Sequence, residues 1–254
     1  MLNTVFIPQA GEAAAPRLSV IIPVFNEEGK IDADLEAALE YFRAQPYTVE
    51  LIVVDDGSSD GTGQKLAAWE ARSGGAVRAI RYSPNRGKGC AVRTGMLAAR
   101  GEIRLFADAG LCVPFAETAR GLALIAEGCE VAIGSRKMAG ARVTRAQAGW
   151  RQWGSRLFGA LARRAMGLEG ITDTQCGFKL FTARAAAELF GRSRIDGFMF
   201  DAETLLRARR QGMQIREFPV EWRADPDSRY RPFGGSLRNL AELARILKAG
   251  RSNL

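Results

Sequence analysis

Five short apolar runs, separated by helical patterns, constrain the fold of this chain more than any other feature. Each run has the length of a buried strand, and the runs cover residues 18–25, 50–54, 77–82, 103–108 and 131–134. Between the first two runs, apolar residues recur at helical spacing, as at Ile31, Leu35 and Leu39. Strands that alternate with helices in this way predict a parallel, doubly wound α/β sheet.

Three of the predicted strands end on charged side chains. Asp55 follows the second run, Asp108 ends the fourth and Arg136 comes shortly after the fifth. Ligands of open α/β sheets bind in the crevice beyond the carboxyl ends of the strands. A single Asp at such an end is also an ordinary turn residue. Because three charges lie at corresponding ends, we expect them to line one polar crevice.

The second half of the chain has a less regular pattern. An amphipathic stripe with four Arg side chains runs from Trp150 to Met166, and its tryptophans suit either a membrane surface or a packed core. Beyond it we expect a polar turn over 172–178, a strand over 178–181, helices over 183–190 and around 201–206, a strand over 214–220, a loop over 223–235 and a last helix over 236–247.

Residue composition excludes several kinds of chemistry. The 254 residues include no histidine, so Ser-His-Asp catalysis, histidine-ligated zinc and histidine general bases are absent. The four cysteines are scattered without a C-x-x-C pair, which indicates reduced thiols in a cytoplasmic protein. We expect no signal peptide, since the first 16 residues lack a basic start and an apolar core. No apolar run approaches the roughly 18 residues of a membrane span.

The formal net charge of +8 favours an anionic partner. Such a surface suits nucleic acid, anionic lipid headgroups or a phosphorylated small molecule. The chain lacks the aromatic and basic motifs of RNA-binding modules, so we expect no nucleic-acid partner. Contact with a membrane, if the chain makes one, should be peripheral.

The turns of the first half suit a nucleotide but match neither common phosphate-binding motif. The turn after the first strand reads Asn26-Glu27-Glu28-Gly29, where a dinucleotide site needs G-x-G-x-x-G. The Gly87-Lys88-Gly89 loop lacks the spacing of a P-loop. What remains is a set of acidic strand ends facing a basic loop. Acids can accept from ribose and base donors, while basic groups or a metal can hold a diphosphate.

The residues 19–28 and 53–62, together with the strand that ends at Asp108, resemble the inverting family 2 glycosyltransferases of the GT-A fold. The stretches 85–95 and 173–179 are similar to the branch that glucosylates dolichyl or polyprenyl phosphate. The resemblance covers about residues 18–247. It implies a Rossmann-like, mostly parallel sheet flanked by helices, with an elaborated acceptor-side second half. It also implies transfer of glucose or a related hexose from a UDP-sugar to a polyprenyl phosphate at the cytoplasmic face of a membrane.

The chain is expected to form a single domain, because no linker or internal repeat interrupts it. A loose leader over 1–17 precedes the domain at 18–247, and a tail over 248–254 follows it. The resemblance divides the domain into a nucleotide-sugar half at 18–136 and an acceptor half at 137–247.

The resemblance also implies roles for individual residues. The donor nucleotide would contact Pro23, Phe25, Glu27, Asp55, Asp56, Arg86, Lys88 and Asp108, with Asp55 on the uracil. Arg136 would handle phosphate, and Asp173 would be the catalytic carboxylate on the acceptor side. Arg229, Arg231 and Ser236 would lie in the loop that closes over the phosphates.

One departure from the family pattern affects the expected metal site. The Asp-x-Asp motif that binds Mg²⁺ or Mn²⁺ reads Asp108-Ala109-Gly110, so the second carboxylate is missing. Asp108 alone, with phosphate oxygens and waters, could still bind Mg²⁺, though more weakly. Alternatively, Arg136, Lys137, Arg229 and Arg231 could stabilise the leaving UDP, or the protein could be a weak or non-catalytic sugar-nucleotide-binding relative.

The acceptor decides what Asp173 must do. A phosphate monoester has its second pKa near 6 and is already largely ionised at neutral pH, so it needs no strong base. Asp173 would then orient the sugar or the acceptor. A hydroxyl acceptor would instead require Asp173 to act as the general base. A turn or helix-cap carboxylate is the ordinary structural alternative.

Overall fold

A computed structural model describes residues 15–145, 167–224, 241–246 and 248. The strands in this part are β1 (Leu18–Val24), β2 (Val49–Asp55), β3 (Val77–Arg81), β4 (Ile103–Ala107), β5 (Val131–Ser135), β6 (Arg142–Arg145), β7 (Phe178–Thr182), β8 (Ile215–Pro219) and β9 (Glu221–Arg223). The helices are α1 (Ile31–Arg43), α2 (Thr62–Arg72), α3 (Lys88–Ala98), α4 (Thr118–Ala126), α5 (Ala183–Gly191) and α6 (Phe200–Arg210), and residues 241–246 are also helical.

Seven of these strands form one mostly parallel sheet in the order β3-β2-β1-β4-β7-β5-β8. β6 and β9 form a separate two-stranded sheet that the sequence analysis did not predict. The five strands expected in the first half are confirmed. The helix expected from Pro114 begins with a 3₁₀ turn over Phe115–Glu117 and becomes α4 only at Thr118.

The core lies on both faces of the sheet, because successive side chains of a strand point to opposite faces. Ile21 packs with α3, α5 and α6 on one face, and its neighbour Ile22 packs with α1 and α2 on the other. Every residue of β1 is buried. Burial of each such Ile or Leu side chain contributes about 1.5–3 kcal/mol, so β1 adds to the core on both faces of the sheet.

β7 departs from the parallel pattern and positions the acceptor-side residues. It lies between β4 and β5 and runs antiparallel to both. An antiparallel strand begins at the edge where its parallel neighbours end. Ala107 at the end of β4 therefore pairs with Phe178 at the start of β7, and residues 173–177 lie at the carboxyl edge of the sheet.

Candidate active site

Asp108 and the turn before β7 meet at this carboxyl edge. The backbone N–H of Asp108 donates to the carbonyl oxygen of Gly177 at 2.8 Å. A Cβ at position 177 would lie only 1.9 Å from Asp108 Oδ2, so the close approach requires glycine. The absence of a side chain at Gly177 thus leaves room for the carboxylate at the end of β4.

Arg136 and Asp173 form a two-pronged ion pair next to Asp108. Arg136 Nε donates to Asp173 Oδ2 at 2.6 Å, and Nη2 donates to Oδ1 at 2.8 Å. The backbone N–H of Arg136 adds a third bond to Oδ2 at 3.1 Å. The Asp173 side chain is fully buried. Burial opposes its ionisation, but the hydrogen bonds and charge of Arg136 lower the pKa of Asp173 to about 2.

Neighbouring strands fix both members of this pair. Glu217 on β8 accepts from the backbone N–H of Thr172 at 2.7 Å and from that of Asp173 at 2.9 Å. The Arg136 guanidinium carbon lies 5.2 Å from the ring centroid of Trp222 on β9. Since a cation over an aromatic face is attracted to it, Trp222 adds a further restraint on Arg136.

Lys88, the first residue of α3, pairs with Asp108. Its ammonium nitrogen lies 2.6 Å from Asp108 Oδ1 and 5.3 Å from the ring centroid of Phe106. Burial alone would lower the pKa of Lys88, but the charges of Asp108 and Asp201 raise it, so the ammonium stays charged. The two side chains of the pair remain 24% and 29% exposed, which leaves them accessible to a ligand.

A second lysine pair lies beneath the first. Lys179 on β7 and Asp201 on α6 are 2.5 Å apart, and their side chains are 1% and 5% exposed. Lys179 also donates to the carbonyl oxygen of Cys176 at 2.5 Å. Lys179 therefore connects α6 to the turn that carries Asp173. Removal of one partner from a buried pair leaves an uncompensated charge, which costs about 3–5 kcal/mol.

The two acidic residues at the end of β2, Asp55 and Asp56, bind the backbone of the adjoining turns. Asp55 is fully buried, accepts from the N–H of Ser58 at 2.8 Å and pairs with Arg81 Nε at 3.1 Å. Asp56 accepts from the backbone N–H of Arg86 at 2.8 Å and of Gly87 at 2.9 Å. Asp56 thus shapes the loop that precedes Lys88.

The other residues expected to contact the nucleotide lie around these turns. Pro23 is buried in β1, Phe25 is partly buried just beyond it, and Arg86 is exposed with its guanidinium 5.3 Å from the Tyr82 ring. The backbone N–H of Glu27 donates to Thr62 Oγ1 at 2.8 Å. The contacts of these residues with a nucleotide stay predictions.

The expected crevice is only partly assembled from the three charged strand ends. Asp108, Arg136 and Asp173 form one electrostatic cluster. Burial lowers the pKa of Arg136, but Asp173 and, to a smaller extent, Asp108 raise it. Asp55 ends β2, which is separated from β4 by β1. The Asp55 carboxylate is directed into its own turn. Arg229, Arg231, Ser236 and the stripe from Trp150 to Met166 lie outside the described residues.

A sequence profile described as Glycosyl transferase family 2 matches residues 19–190. The chain belongs to this family. The match includes the turns after β1 and β2, Lys88, Asp108 and Arg136, and it ends within α5.

Two relatives with assigned activities are both dolichyl-phosphate beta-glucosyltransferases. The Drosophila melanogaster protein is 33% identical over 244 residues, which cover 91% of this chain and 74% of the relative. The Mus musculus protein is 34% identical over 239 residues, which cover 89% and 74%.

A solved structure shows the same fold. It is glucosyl-3-phosphoglycerate synthase from Mycobacterium tuberculosis in complex with Mn²⁺, UDP-glucose and phosphoglyceric acid. The TM-score is 0.62 at 23% identity, with 92% of this chain and 80% of the synthase covered. This family 2 chain therefore has the GT-A architecture that the sequence analysis expected.

The described part of this family 2 chain contains no divalent-metal site built from protein side chains alone. Mg²⁺ and Mn²⁺ prefer several oxygen ligands. Within 15–145, 167–224, 241–246 and 248, no group of three or more His, Cys, Asp or Glu side chains could hold a metal ion. Asp108 is the one carboxylate left from the expected motif, and its Oδ1 faces the Lys88 ammonium.

Sequence reasoning missed four residues that support the family 2 site. Lys179 lies within an apolar strand, and Asp201 follows the two large apolar residues Met199 and Phe200. A charged residue inside an apolar segment was therefore the one sign in the sequence that each needs a buried partner. Glu217 and Trp222 lie on strands whose local pattern gives no sign of the site. Among the described helices of the chain, none is both long and apolar enough to cross a membrane.

Proposed function

We propose that this chain transfers glucose or a related hexose from a UDP-sugar to a polyprenyl phosphate with inversion. Two relatives that are 33% and 34% identical carry the name dolichyl-phosphate beta-glucosyltransferase, and the match covers about nine tenths of this chain. The family match and the cluster of charges at the carboxyl edge of the sheet support the same reaction class.

The state of Asp173 is the observation that carries this proposal. Both of its oxygens accept from Arg136, and its pKa of about 2 makes it a weak base. A hydroxyl acceptor needs a base to remove its proton, whereas a phosphate monoester with a second pKa near 6 is largely a dianion at neutral pH. The site therefore favours a phosphate acceptor, and Asp173 serves to fix Arg136.

The donor nucleotide is proposed to lie over the turns after β1 and β2. Pro23, Phe25, Glu27, Asp55 and Asp56 would surround the uridine, with the uracil on Asp55. The Asp55 carboxylate is buried and accepts from the N–H of Ser58. Uracil would therefore reach Asp55 only if the turn at Ser58 moved, or it would contact the edge of that turn instead. Arg86 and Lys88 would face the diphosphate.

The chemical step follows from the charges. An acceptor phosphate oxygen forms a bond to the anomeric carbon as the bond from that carbon to the β-phosphate oxygen breaks, and UDP leaves with the electron pair. The greatest demand is stabilisation of the negative charge that develops on the leaving diphosphate. Arg136 and Lys88 are two cations at this edge of the sheet, and Lys137, Arg229 and Arg231 are proposed to add to them.

We also propose that the protein works peripherally at the cytoplasmic face of a membrane. A polyprenyl phosphate is anchored in the bilayer by its hydrocarbon chain, so the site must approach the headgroup region. The net charge of +8 favours an anionic membrane surface. The stripe from Trp150 to Met166 is the proposed contact.

The test measures transfer of labelled glucose from UDP-glucose to a short polyprenyl phosphate, by extraction of the labelled product into organic solvent. The matching polyprenol is the acceptor control, and reactions are run both with Mn²⁺ and with EDTA. We expect labelled lipid with the phosphate and not with the alcohol. Transfer to polyprenol at a similar rate, or no transfer to the phosphate with any UDP-hexose, would overturn the proposal.

A further inference from the structure

Position 110 has a backbone conformation that suits glycine better than a carboxylate residue. Gly110 has a φ of +87°, in the region that L side chains rarely adopt, and Leu111 follows with a φ of +50°. The backbone N–H of Gly110 donates to Asp34 Oδ2 at 2.8 Å. The turn after Asp108 is therefore fixed by α1, and it presents no second acid to a cation.

The Lys88 ammonium is held against Asp108, the one carboxylate that remains of the metal motif. It lies 2.6 Å from Asp108 Oδ1, with the Phe106 ring 5.3 Å and the Phe198 ring 5.9 Å from the ammonium nitrogen. Two aromatic faces and one carboxylate therefore surround the charge. Such an arrangement restricts a flexible lysine to a small volume at the mouth of the site.

The backbone of Lys88 is fixed as well. Lys88 begins α3, and the N–H of the next residue, Gly89, donates to the carbonyl oxygen of Asp196 at 2.8 Å. On the other side, Asp56 accepts from the N–H of Gly87 at 2.9 Å. Because the loop is anchored on both sides, the ammonium is positioned before any ligand arrives. The positive end of the α3 dipole adds to the field at this point.

We propose that Lys88 takes the place of the divalent cation, so that UDP binding and sugar transfer need no metal. This inference rests on the proposed function, since it concerns the leaving diphosphate of the same reaction. The ammonium donates hydrogen bonds to the β-phosphate oxygens while Asp108 holds it in place. No proton is transferred in the step: one bond to the anomeric carbon forms, one breaks, and UDP departs with Lys88 still protonated.

The test measures UDP binding by calorimetry in EDTA and in Mn²⁺, together with glucose transfer under the same conditions. For the wild-type protein we expect the dissociation constants in EDTA and in Mn²⁺ to agree within about twofold, because no metal contributes to the contact. Lys88→Met should weaken UDP binding in EDTA by about 10-fold or more, the usual loss when a hydrogen bond to a charged group is removed. Lys65→Met, a lysine paired with Asp32 on the surface, is the matched control and should bind UDP normally.

A double variant guards against misfolding of Lys88→Met, which leaves Asp108 unpaired. Lys88→Met/Asp108→Asn removes both charges, so it should melt near the wild-type temperature and still bind UDP weakly. The inference is overturned if Mn²⁺ tightens wild-type UDP binding about tenfold or more, or if both Lys88 variants bind UDP normally in EDTA.

The two proposals fail separately in this design. Metal-independent, Lys88-dependent UDP binding without transfer to any polyprenyl phosphate would reject the proposed acceptor and support the role of Lys88. Transfer to polyprenyl phosphate that is abolished by EDTA and restored by Mn²⁺ would support the acceptor and reject the role of Lys88.

Discussion

The two ends of the site use their carboxylates differently. At the nucleotide end, after β1 and β2, Asp56 and Asp60 accept from backbone N–H groups of the turns, as in the bond from Thr62 to Asp60 at 3.0 Å. At the acceptor end, Asp108 after β4 and Asp173 in the turn before β7 each face a cationic side chain at 2.6 Å. The first arrangement fixes the shape of the backbone, and the second fixes the position of a positive charge. Asp55 at the nucleotide end does both, because it accepts from the N–H of Ser58 and pairs with Arg81.

This difference has an energetic consequence. Loss of one hydrogen bond in a turn costs about 0.5–1.5 kcal/mol, whereas an unpaired charge in a buried pair costs about 3–5 kcal/mol. Substitutions in the buried Arg136–Asp173 pair should therefore damage both stability and turnover. Substitutions in the partly exposed Lys88–Asp108 pair, or in the turns at the nucleotide end, should mainly weaken the binding of UDP.

The largest effect is expected from Arg136→Met, which leaves the buried Asp173 without its partner. We expect turnover to fall by about 10²–10³-fold, because a charge directed at the leaving group is lost, and stability to fall by about 3–5 kcal/mol. Initial rates and urea unfolding measure the two effects. Arg210→Met, on an exposed arginine at the end of α6, is the control. Equal effects of the two substitutions would show that Arg136 has no special position.

Gly177→Ala should have the next largest effect. The new Cβ would lie 1.9 Å from Asp108 Oδ2, so Asp108 must move and its pair with Lys88 is disturbed. We expect a loss of about 1–3 kcal/mol of stability and weaker UDP binding, measured by unfolding and calorimetry. Gly191→Ala places a Cβ in open space at the end of α5 and is the matched control. Normal UDP binding by Gly177→Ala would contradict the proposed role of the Asp108–Lys88 pair in binding the nucleotide.

The Asp173 ion pair should make the stability of the fold depend on acid pH. The pKa of Asp173 is about 2 in the folded protein against an ordinary value of 3.8, so the unfolded chain binds the proton more readily. The contribution, about 2 kcal/mol, is complete above the unfolded pKa and is lost as the pH falls through the folded pKa. Urea unfolding at pH 6 and at pH 3 measures about half of this contribution, because pH 3 lies between the folded and the unfolded pKa. Asp173→Asn should remove this part of the pH dependence, and an unchanged dependence would contradict the assignment.

The smallest effect is expected from Asp56→Asn at the nucleotide end. The amide keeps one acceptor oxygen but loses the charge that the backbone N–H groups of Arg86 and Gly87 bind. UDP binding should weaken by about tenfold, the equivalent of one charged hydrogen bond. Calorimetry with UDP measures it, and Glu40→Gln on the exposed face of α1 is the control. If Asp56→Asn unfolds the protein instead of weakening UDP binding, Asp56 is as important for stability as the ion pairs at the acceptor end, which contradicts this prediction.

Much of the fold could be predicted because each first-half strand is a short apolar run between helical stripes. Leu18–Val24 and Val131–Ser135 lie within a residue or two of their expected bounds. The direction of β7 could not be predicted, since the pattern Phe178–Thr182 is the same for a parallel and an antiparallel strand. Its insertion between β4 and β5 depends on contacts with distant residues.

The site divides in the same way. Asp108, Arg136 and Asp173 were found because they follow strands or lie in a motif that resembles the family. Lys179 and Asp201 were missed because a buried charge is stabilised only by its partner, and their pairing joins β7 to α6. The residues around Lys179 in the sequence do not include Asp201. The sequence alone therefore does not show that the charge of Lys179 is neutralised by a partner.

The most direct test of the account is the pH dependence of kcat/KM for glucose transfer to a polyprenyl phosphate. We expect kcat/KM to rise through the second pKa of the acceptor, about 6, and to reach a plateau above it, because the dianion attacks without help from a general base. A profile that is flat through this region, or a polyprenol that reacts as fast as the phosphate, would contradict the claim that the Arg136–Asp173 pair serves a phosphate acceptor.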